Sequence, residues 1–148
     1  MAVVIVTYEP NLSNVIRLCR TIEAGGAMAV VVDNGSTFGV AADLEPVGRK
    51  TISLADNTGI AHAQNVGIRY ALKAGADIIA FFDQDSVVET DFHRRLIEAL
   101  NPGVPGIVSP VIYDEVTGRE CPTLRLNRFG FPVTVSYTHL TLPTNREV

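Results

Sequence analysis

Two aspartates one residue apart follow an apolar stretch, and their spacing raises a chemical question. Residues 78–88 read IIAFFDQDSVV, so Asp83 and Asp85 come after five apolar residues with no turn residue between. In an extended segment, side chains two residues apart project to the same side. Two carboxylates about 4 Å apart repel by roughly 4 kcal/mol at an effective dielectric constant near 20. One of them must therefore be protonated, or a cation must lie between them.

A divalent cation that prefers hard oxygen ligands fits this pair of carboxylates. Mg²⁺ or Mn²⁺ is commonly held by one or two carboxylates together with the phosphates of a substrate. The simpler alternative is that both aspartates cap the next helix or are solvated in a loop. The motif taken alone leaves this alternative open.

Polar residues also follow two other apolar runs of the sequence. Residues 2–6 precede Thr7 and Tyr8, and residues 27–32 precede the segment DNGS, which begins at Asp33. Ligands of open α/β sheets bind beyond the carboxyl ends of the strands, so these groups are expected at the same edge as the aspartate pair. Asp33 can accept hydrogen bonds from a base or a ribose, although DNGS is also typical of a plain turn.

A third stretch, residues 56–75, reads DNTGIAHAQNVGIRYALKAG and predicts the start of a long helix. Small residues at this place let the helix approach the sheet or a ligand closely, and its first amides can face an anion such as a diphosphate. Tight packing of the helix on the sheet is the alternative explanation. A buried amide at Asn65 would need hydrogen-bond partners. The alternating small and amide residues are Asn57, Gly59, Ala61, Ala63, Asn65 and Gly67.

Strand-like and helix-like segments alternate along the chain, and each predicted strand is almost entirely apolar. This pattern predicts an α/β fold in which a mostly parallel sheet carries helices on both faces. The predicted strands are residues 2–6, 27–32, 50–54, 77–82 and 106–112, and the predicted helices are a stretch opening at Pro10-Asn11, residues 59–74, and residues 90–100 with Thr90 as N-cap.

The composition of the chain favours some classes of protein and argues against others. The chain has 148 residues, of which 47% are apolar and 19% charged, which suits one globular domain or part of a larger one. Its net charge of −4 argues against a nucleic-acid-binding surface. Two cysteines are too few for a disulfide framework, so the reducing cytoplasm is the simplest location, with Cys19 as a buried thiol on a helix.

Four segments that contain these polar residues, taken in their order along the chain, resemble the nucleotide-sugar domain of family 2 glycosyltransferases with the GT-A fold. They are VVIVTY, VVVDNGS, NTGIAHAQNVGIRYA and FFDQDS, and the resemblance covers residues 2 to about 115. The DQDS form is most similar to bacterial rhamnosyltransferases. The resemblance implies a Rossmann-like nucleotide-diphospho-sugar transferase fold that is incomplete at its C-terminus.

The same resemblance implies an activity and its participants. A sugar, with rhamnose favoured, moves with inversion from a nucleotide diphosphate to an acceptor hydroxyl, assisted by Mg²⁺ or Mn²⁺, in cell-surface polysaccharide synthesis. The implied donor is dTDP-rhamnose or, as a second possibility, a UDP-sugar. The implied acceptor is a glycan or a lipid-linked glycan, which would place the cytoplasmic protein at the inner membrane face.

Each motif receives a role from the resemblance. The end of the first strand lines the nucleobase pocket, Asp33 bonds to the base, and the segment before the long helix borders the nucleotide. Asp83 reaches the ribose and the metal, and Asp85 coordinates the metal that bridges the diphosphate. The implied nucleotide-binding residues are Thr7, Tyr8, Asp33, Asn34, Ser36, Asn57, Gly59, Ala63, Asn65 and Asp83, and the implied metal ligands are Asp83 and Asp85.

The catalytic base is the part of the family pattern that this sequence lacks. In the family it comes from a segment well after the DxD strand, and Asp114, Glu115 and Glu120 match no recognised base pattern. From residue 134 the sequence reads TVSYTHLTLPTNREV, which resembles translated sequencing-adapter ends. We therefore predict that residues 1–134 are the nucleotide-sugar-binding part, that 135–148 are a non-native tail, and that the chain binds nucleotide without catalysing transfer by itself.

Three other interpretations compete with the glycosyltransferase. FFDQDSVV fits the first motif of haloacid-dehalogenase-like phosphatases, whose first aspartate is a nucleophile, but no lysine follows Lys73 to steady the phosphoryl group. A dinucleotide-dependent oxidoreductase would need a glycine-rich turn after the first strand, which reads TYEPNLSN instead. A nucleotide-binding module without enzymatic activity is the third alternative.

Overall fold

The computed structural model describes residues 1–38, 40, 50–100, 106–108, 117 and 119, together with strands at 123–126 and 132–135. The chain divides into two compact units, Met1–His93 and Arg94–Val148. No helix within these described residues is long and apolar enough to cross a membrane.

The first unit contains a sheet of four strands, and every neighbouring pair in it is parallel. The strands are β1 (Ala2–Thr7), β2 (Met28–Asp33), β3 (Lys50–Ser53) and β4 (Ile79–Asp83), in the order β3-β2-β1-β4. The two central strands are almost fully buried, as expected for β-branched apolar runs covered on both faces. The four predicted strands in this unit are thus confirmed to within one or two residues at their ends.

Helix α1 (Leu12–Ala24) covers one face of the sheet. Its N-terminus is capped by Asn11, whose side-chain oxygen accepts hydrogen bonds from the amides of Ser13 and Asn14. Its buried side chains pack against the odd-numbered residues of β1 and β2. These helix residues are Val15, Leu18, Cys19 and Ile22. The prediction of a buried Cys19 is confirmed.

Helix α2 (Ile60–Lys73) covers the opposite face. Ala63, Gly67 and Ala71 are its buried residues, and Ala63 belongs to a cluster that includes Val4 and Val32. A methyl group built on Gly67 would lie 2.4 Å from Cγ1 of Val4, so the missing side chain is what allows the helix to approach the strand. The prediction of a parallel sheet with helices on both faces is confirmed.

A third helix, α3 (Phe92–Ala99), begins one residue later than a cap at Thr90 would imply. Its first residue packs its ring on Phe82 of β4, with 5.3 Å between the ring centroids. The second unit contains an antiparallel pair that the sequence analysis did not predict, β5 (Thr123–Leu126) with β6 (Pro132–Val135). The predicted strand at 106–112 is absent at 106–108, and residues 109–112 lie outside the described residues.

The close contact at Gly67 gives a prediction for stability. In an open helix position, replacing glycine by alanine stabilises by about 1 kcal/mol. Gly67→Ala should instead lower the free energy of unfolding by about 1–3 kcal/mol, because the added methyl group overpacks the Val4 contact. Denaturant unfolding measures this change. Arg69→Ala, at an exposed position of the same helix, should stay within about 0.5 kcal/mol, and a stabilised Gly67→Ala variant would contradict the packing argument.

Candidate functional site

The C-terminal edge of the sheet brings together the polar residues predicted at the strand ends. Strands β1, β2 and β3 end in register, with Thr7 beside Asp33 and Asp33 beside Ser53. On the other side of β1, Asp83 at the end of β4 lies beside Val6. The expectation that several strands deliver polar groups to one edge is therefore confirmed. Such an edge is where open α/β sheets bind ligands.

Asp33 is buried at this edge, with 2% of its surface exposed. Its Oδ1 accepts hydrogen bonds from the hydroxyl groups of Thr7, at 3.4 Å, and Ser36, at 2.5 Å. No described residue donates to Oδ2. The carboxylate is thus fixed through one oxygen, and the other is able to accept a hydrogen bond from a ligand N–H or O–H group.

Asn34 ties the loop after β2 to the turn before α2. Its Nδ2 donates to Oδ1 of Asn57 at 3.0 Å, and its own Oδ1 accepts from the amide of Thr58 at 3.0 Å and the Thr58 hydroxyl at 3.2 Å. Asn57 in turn accepts from the amide of Gly59 at 3.1 Å. Because Asn34 is almost fully buried, this network holds the two loops in one arrangement.

Gly35 is required by the same arrangement. Its φ of 81° lies in the left-handed region, where side chains are strained. A methyl group there would also lie 2.4 Å from the carbonyl carbon of Asp56. The close approach of the two loops therefore depends on the absence of a side chain at this position.

Glu9 joins the loop after β1 to the loop after β2, a contact that the sequence pattern did not predict. Its amide donates to the hydroxyl oxygen of Ser36 at 2.9 Å, and its carboxylate accepts from the amide and the hydroxyl of Thr37, each at 2.8 Å. The Thr37 amide, followed by the Thr37 hydroxyl, holds the pKa of Glu9 below its ordinary value. The partners are 28 residues apart in sequence, so no local pattern indicates this contact.

The aspartate pair has a different backbone from the one expected. Strand β4 ends at Asp83, and the Ser86 amide donates to the Asp83 carbonyl oxygen at 3.1 Å, which closes a turn through Gln84 and Asp85. The extended geometry that was assumed for both aspartates is therefore wrong beyond Asp83. Both carboxylates are exposed, and no described residue donates a hydrogen bond to either.

The carboxylate oxygens at this turn are of the type that a hard divalent cation prefers. Among the described residues, no group of three His, Cys, Asp or Glu side chains could enclose a metal ion by itself. Two free carboxylates instead suit Mg²⁺ or Mn²⁺ in the mode that completes its shell with water and substrate phosphates. Asp83 and Asp85 are therefore compatible with a metal site that is completed by the ligand.

The remaining predicted residues differ in their surroundings. Tyr8 is 48% exposed, and Ala63 is fully buried on the face of α2 that packs against the sheet. Gly59 precedes α2 with a φ of 84°, and among the described residues no side-chain hydrogen bond caps that helix. Asn65 is exposed, so the argument that it needs partners as a buried amide is wrong. The candidate base residues Asp114, Glu115 and Glu120 lie outside the described residues.

Comparisons with known proteins identify the family of this chain. The model of the family described as Glycosyl transferase family 2 matches residues 2–141. The chain is 36% identical over 148 residues to dTDP-rhamnosyl transferase RfbF of Shigella flexneri, an alignment that covers 98% of this chain and 49% of that protein. The chain therefore spans about half the length of this curated relative.

A solved structure supports the fold. The crystal structure of S. aureus TarS superimposes with a TM-score of 0.52 and 20% sequence identity, covering 70% of this chain and 23% of that one. At this identity, the likeness bears on the fold alone. It agrees with the GT-A-like arrangement of a parallel sheet between helices.

The buried amide of Asn34 gives a second prediction. Asn34→Ala leaves the Thr58 amide and the Asn57 side chain without their partner, which should cost about 1–3 kcal/mol of unfolding free energy. Chemical denaturation followed by circular dichroism measures the loss. The exposed Asn65→Ala variant is the matched control and should not be destabilised; equal stability losses in the two variants would refute the loop-tying role of Asn34.

A third prediction concerns Glu9. The folded chain should show a Glu9 carboxyl pKa below the ordinary glutamate value in an NMR titration, and Thr37→Ala should raise it by removing one of the two donors. Because the pKa is lowered on folding, the stabilising contribution is present at neutral pH and is lost as the pH falls through the lowered pKa. A Glu9 pKa that does not respond to Thr37→Ala would contradict the assigned contact.

Proposed function

Because this chain belongs to Glycosyl transferase family 2, we propose that it binds a nucleotide-diphosphate sugar at the C-terminal edge of its sheet, for transfer of the sugar to an acceptor hydroxyl. The observation that carries this proposal is the buried Asp33 carboxylate, fixed through Oδ1 by Thr7 and Ser36, at the same sheet edge as the two exposed carboxylates of the turn after β4. The family membership also favours this proposal over a phosphatase or a dinucleotide-dependent oxidoreductase.

The nucleoside end of the donor is assigned to Asp33. A carboxylate oxygen accepts hydrogen bonds and cannot donate them when ionised. Thymine and uracil present an N–H group at position 3 of the ring, whereas cytosine presents an unprotonated nitrogen there. The Oδ2 atom of Asp33 therefore suits a thymine or uracil nucleotide. Tyr8 is half exposed and directly follows Thr7, whose hydroxyl group donates to Asp33, and its ring offers a face for the base.

The donor sugar is proposed from the relative. The curated Shigella flexneri protein is described as a dTDP-rhamnosyl transferase. We extend this donor, dTDP-rhamnose, to the present chain, with a UDP-sugar as the alternative that Asp33 would equally accept. Inversion at the anomeric carbon, a glycan or lipid-linked acceptor, a role in cell-surface polysaccharide synthesis and a cytoplasmic position at the inner membrane face are parts of the same proposal.

The diphosphate end is assigned to Asp83 and Asp85, which would hold Mg²⁺ or Mn²⁺ between them and the phosphates. When bound, the cation offsets the negative charge that builds on the departing nucleoside diphosphate. Helix α2 begins after the loop that leaves β3 at the same edge, so its first amide groups and its dipole favour an anion there. The protein's own contribution is thus to hold the nucleoside and the diphosphate in one orientation before the transfer.

Removing either carboxylate should remove most of the metal dependence of nucleotide binding. Wild-type protein should bind dTDP about tenfold or more tightly with Mn²⁺ than without it, and Asp83→Asn and Asp85→Asn should each lose most of this gain. Isothermal titration calorimetry with and without Mn²⁺ measures the difference. Binding of dTDP without metal should change little, because Asp33 is intact in both variants.

Asp77→Asn is the matched control, because Asp77 is exposed near the opposite end of β4. It removes one negative charge from the segment just before this strand and should keep the full Mn²⁺ dependence. If Asp83→Asn and Asp85→Asn kept it as well, the metal assignment would be refuted. Release of dTDP from dTDP-rhamnose on addition of an acceptor glycan would distinguish a transferase from a module that only binds nucleotide.

A further inference from the structure

Gln84 lies between the two aspartates and contacts the backbone of Tyr8. Its Oε1 accepts a hydrogen bond from the Tyr8 amide at 2.9 Å, and its Nε2 donates to the Tyr8 carbonyl oxygen at 3.4 Å. The two residues are 76 positions apart in sequence. One side-chain amide thus satisfies both backbone groups of a single residue at the end of β1.

The register of the sheet explains why the backbone N–H and C=O groups of Tyr8 face the turn that contains Gln84. In a parallel ladder, alternate residues of a strand turn both backbone groups toward the same neighbour. Ala2 donates toward β4, to the Ile78 carbonyl oxygen, whereas the Thr7 carbonyl oxygen accepts from Asn34 on the β2 side. Tyr8 is therefore the next residue after Val6 whose N–H and C=O groups face β4.

Strand β4 has already ended at this level. Its last paired residue is Asp83, beside Val6, and the chain then turns through Gln84 and Asp85. Backbone partners for Tyr8 are consequently missing on that side. A glutamine side chain carries the same donor and acceptor pair as a peptide group, so Gln84 continues the ladder by one residue with its side chain.

We propose that Gln84 is a positioning residue for the nucleotide donor. Its contact with Tyr8 fixes the distance between the end of β1 and the carboxylates of the two residues next to Gln84, Asp83 and Asp85. Only at the correct spacing can one ligand be held at its nucleoside and at its diphosphate at the same time. This inference rests on the proposed function, and it adds a residue that touches neither the base nor the metal.

The expected effect is specific to ligands that contact both the nucleoside-binding part and the metal-binding part of the site. A ligand anchored at two points gains affinity because the second contact is intramolecular, and that gain depends on preorganised spacing. Loss of the Gln84 contact should therefore weaken binding of dTDP with Mn²⁺. Thymidine alone and pyrophosphate with Mn²⁺, which each use one end, should be affected much less. A purely structural role for Gln84 would weaken all three ligands together.

Two variants separate the hydrogen bonds from the bulk of the side chain. Gln84→Met keeps the length of the side chain and removes both hydrogen bonds, whereas Gln84→Glu keeps an acceptor for the Tyr8 amide and loses the donor. The control is Gln64→Met, which makes the same substitution at the other glutamine of the chain, on α2. Hydrogen exchange of the Tyr8 amide, followed by NMR, reports on the contact without any ligand.

We expect faster exchange of the Tyr8 amide in Gln84→Met than in wild type, with protection partly restored in Gln84→Glu and unchanged in Gln64→Met. Titration calorimetry on the same proteins should show about a tenfold loss of dTDP affinity with Mn²⁺ in Gln84→Met, and less than about a threefold loss for thymidine or for pyrophosphate with Mn²⁺. Equal losses for the three ligands, or unchanged dTDP affinity, would overturn the positioning role. Wild-type protein that binds no dTDP would overturn the proposed function as well.

Discussion

Parallel strands that end together leave backbone and side-chain polar groups at one edge, and these groups must find partners among one another or in a ligand. In this protein, four strands end at the same edge, at Thr7, Asp33, Ser53 and Asp83. The side chains in the interior of the sheet are apolar, and burial alone is enough to stabilise them there. The edge is where hydrogen bonding becomes demanding, because each unpaired buried group there carries a cost of about 1–3 kcal/mol.

The chain meets this demand with side chains that reach from one loop to the next. Asn34 joins the loop after β2 to the turn before α2, Glu9 joins the loop after β1 to the loop after β2, and Gln84 joins the turn after β4 to the end of β1. Each contact uses backbone groups on at least one side, apart from the Asn34 contact with the Asn57 side chain. The loops around the candidate site are therefore fixed relative to one another before a ligand arrives, which lowers the ordering cost of binding.

Groups without such partners are the ones assigned to the ligand. Asp33 keeps one oxygen without a donor from the described residues, and Asp83 and Asp85 keep both carboxylates exposed. The division has a physical basis, because a loop that is anchored elsewhere can present an unsatisfied group without losing its shape. It separates the residues that hold the loops in place from those proposed to contact a nucleotide-sugar.

The sequence by itself determined the sheet, the helices on its two faces and the residues at its C-terminal edge, because apolar periodicity and strand ends are local features of a chain. It did not determine that the backbone turns after Asp83, that Asn65 is exposed, or that Glu9 and Gln84 hold neighbouring loops. Only the tertiary structure decided these points. Their partners are 28 and 76 residues away for Glu9 and Gln84, and burial and hydrogen bonding between such distant residues depend on how the strands are ordered in the sheet, which no local pattern records.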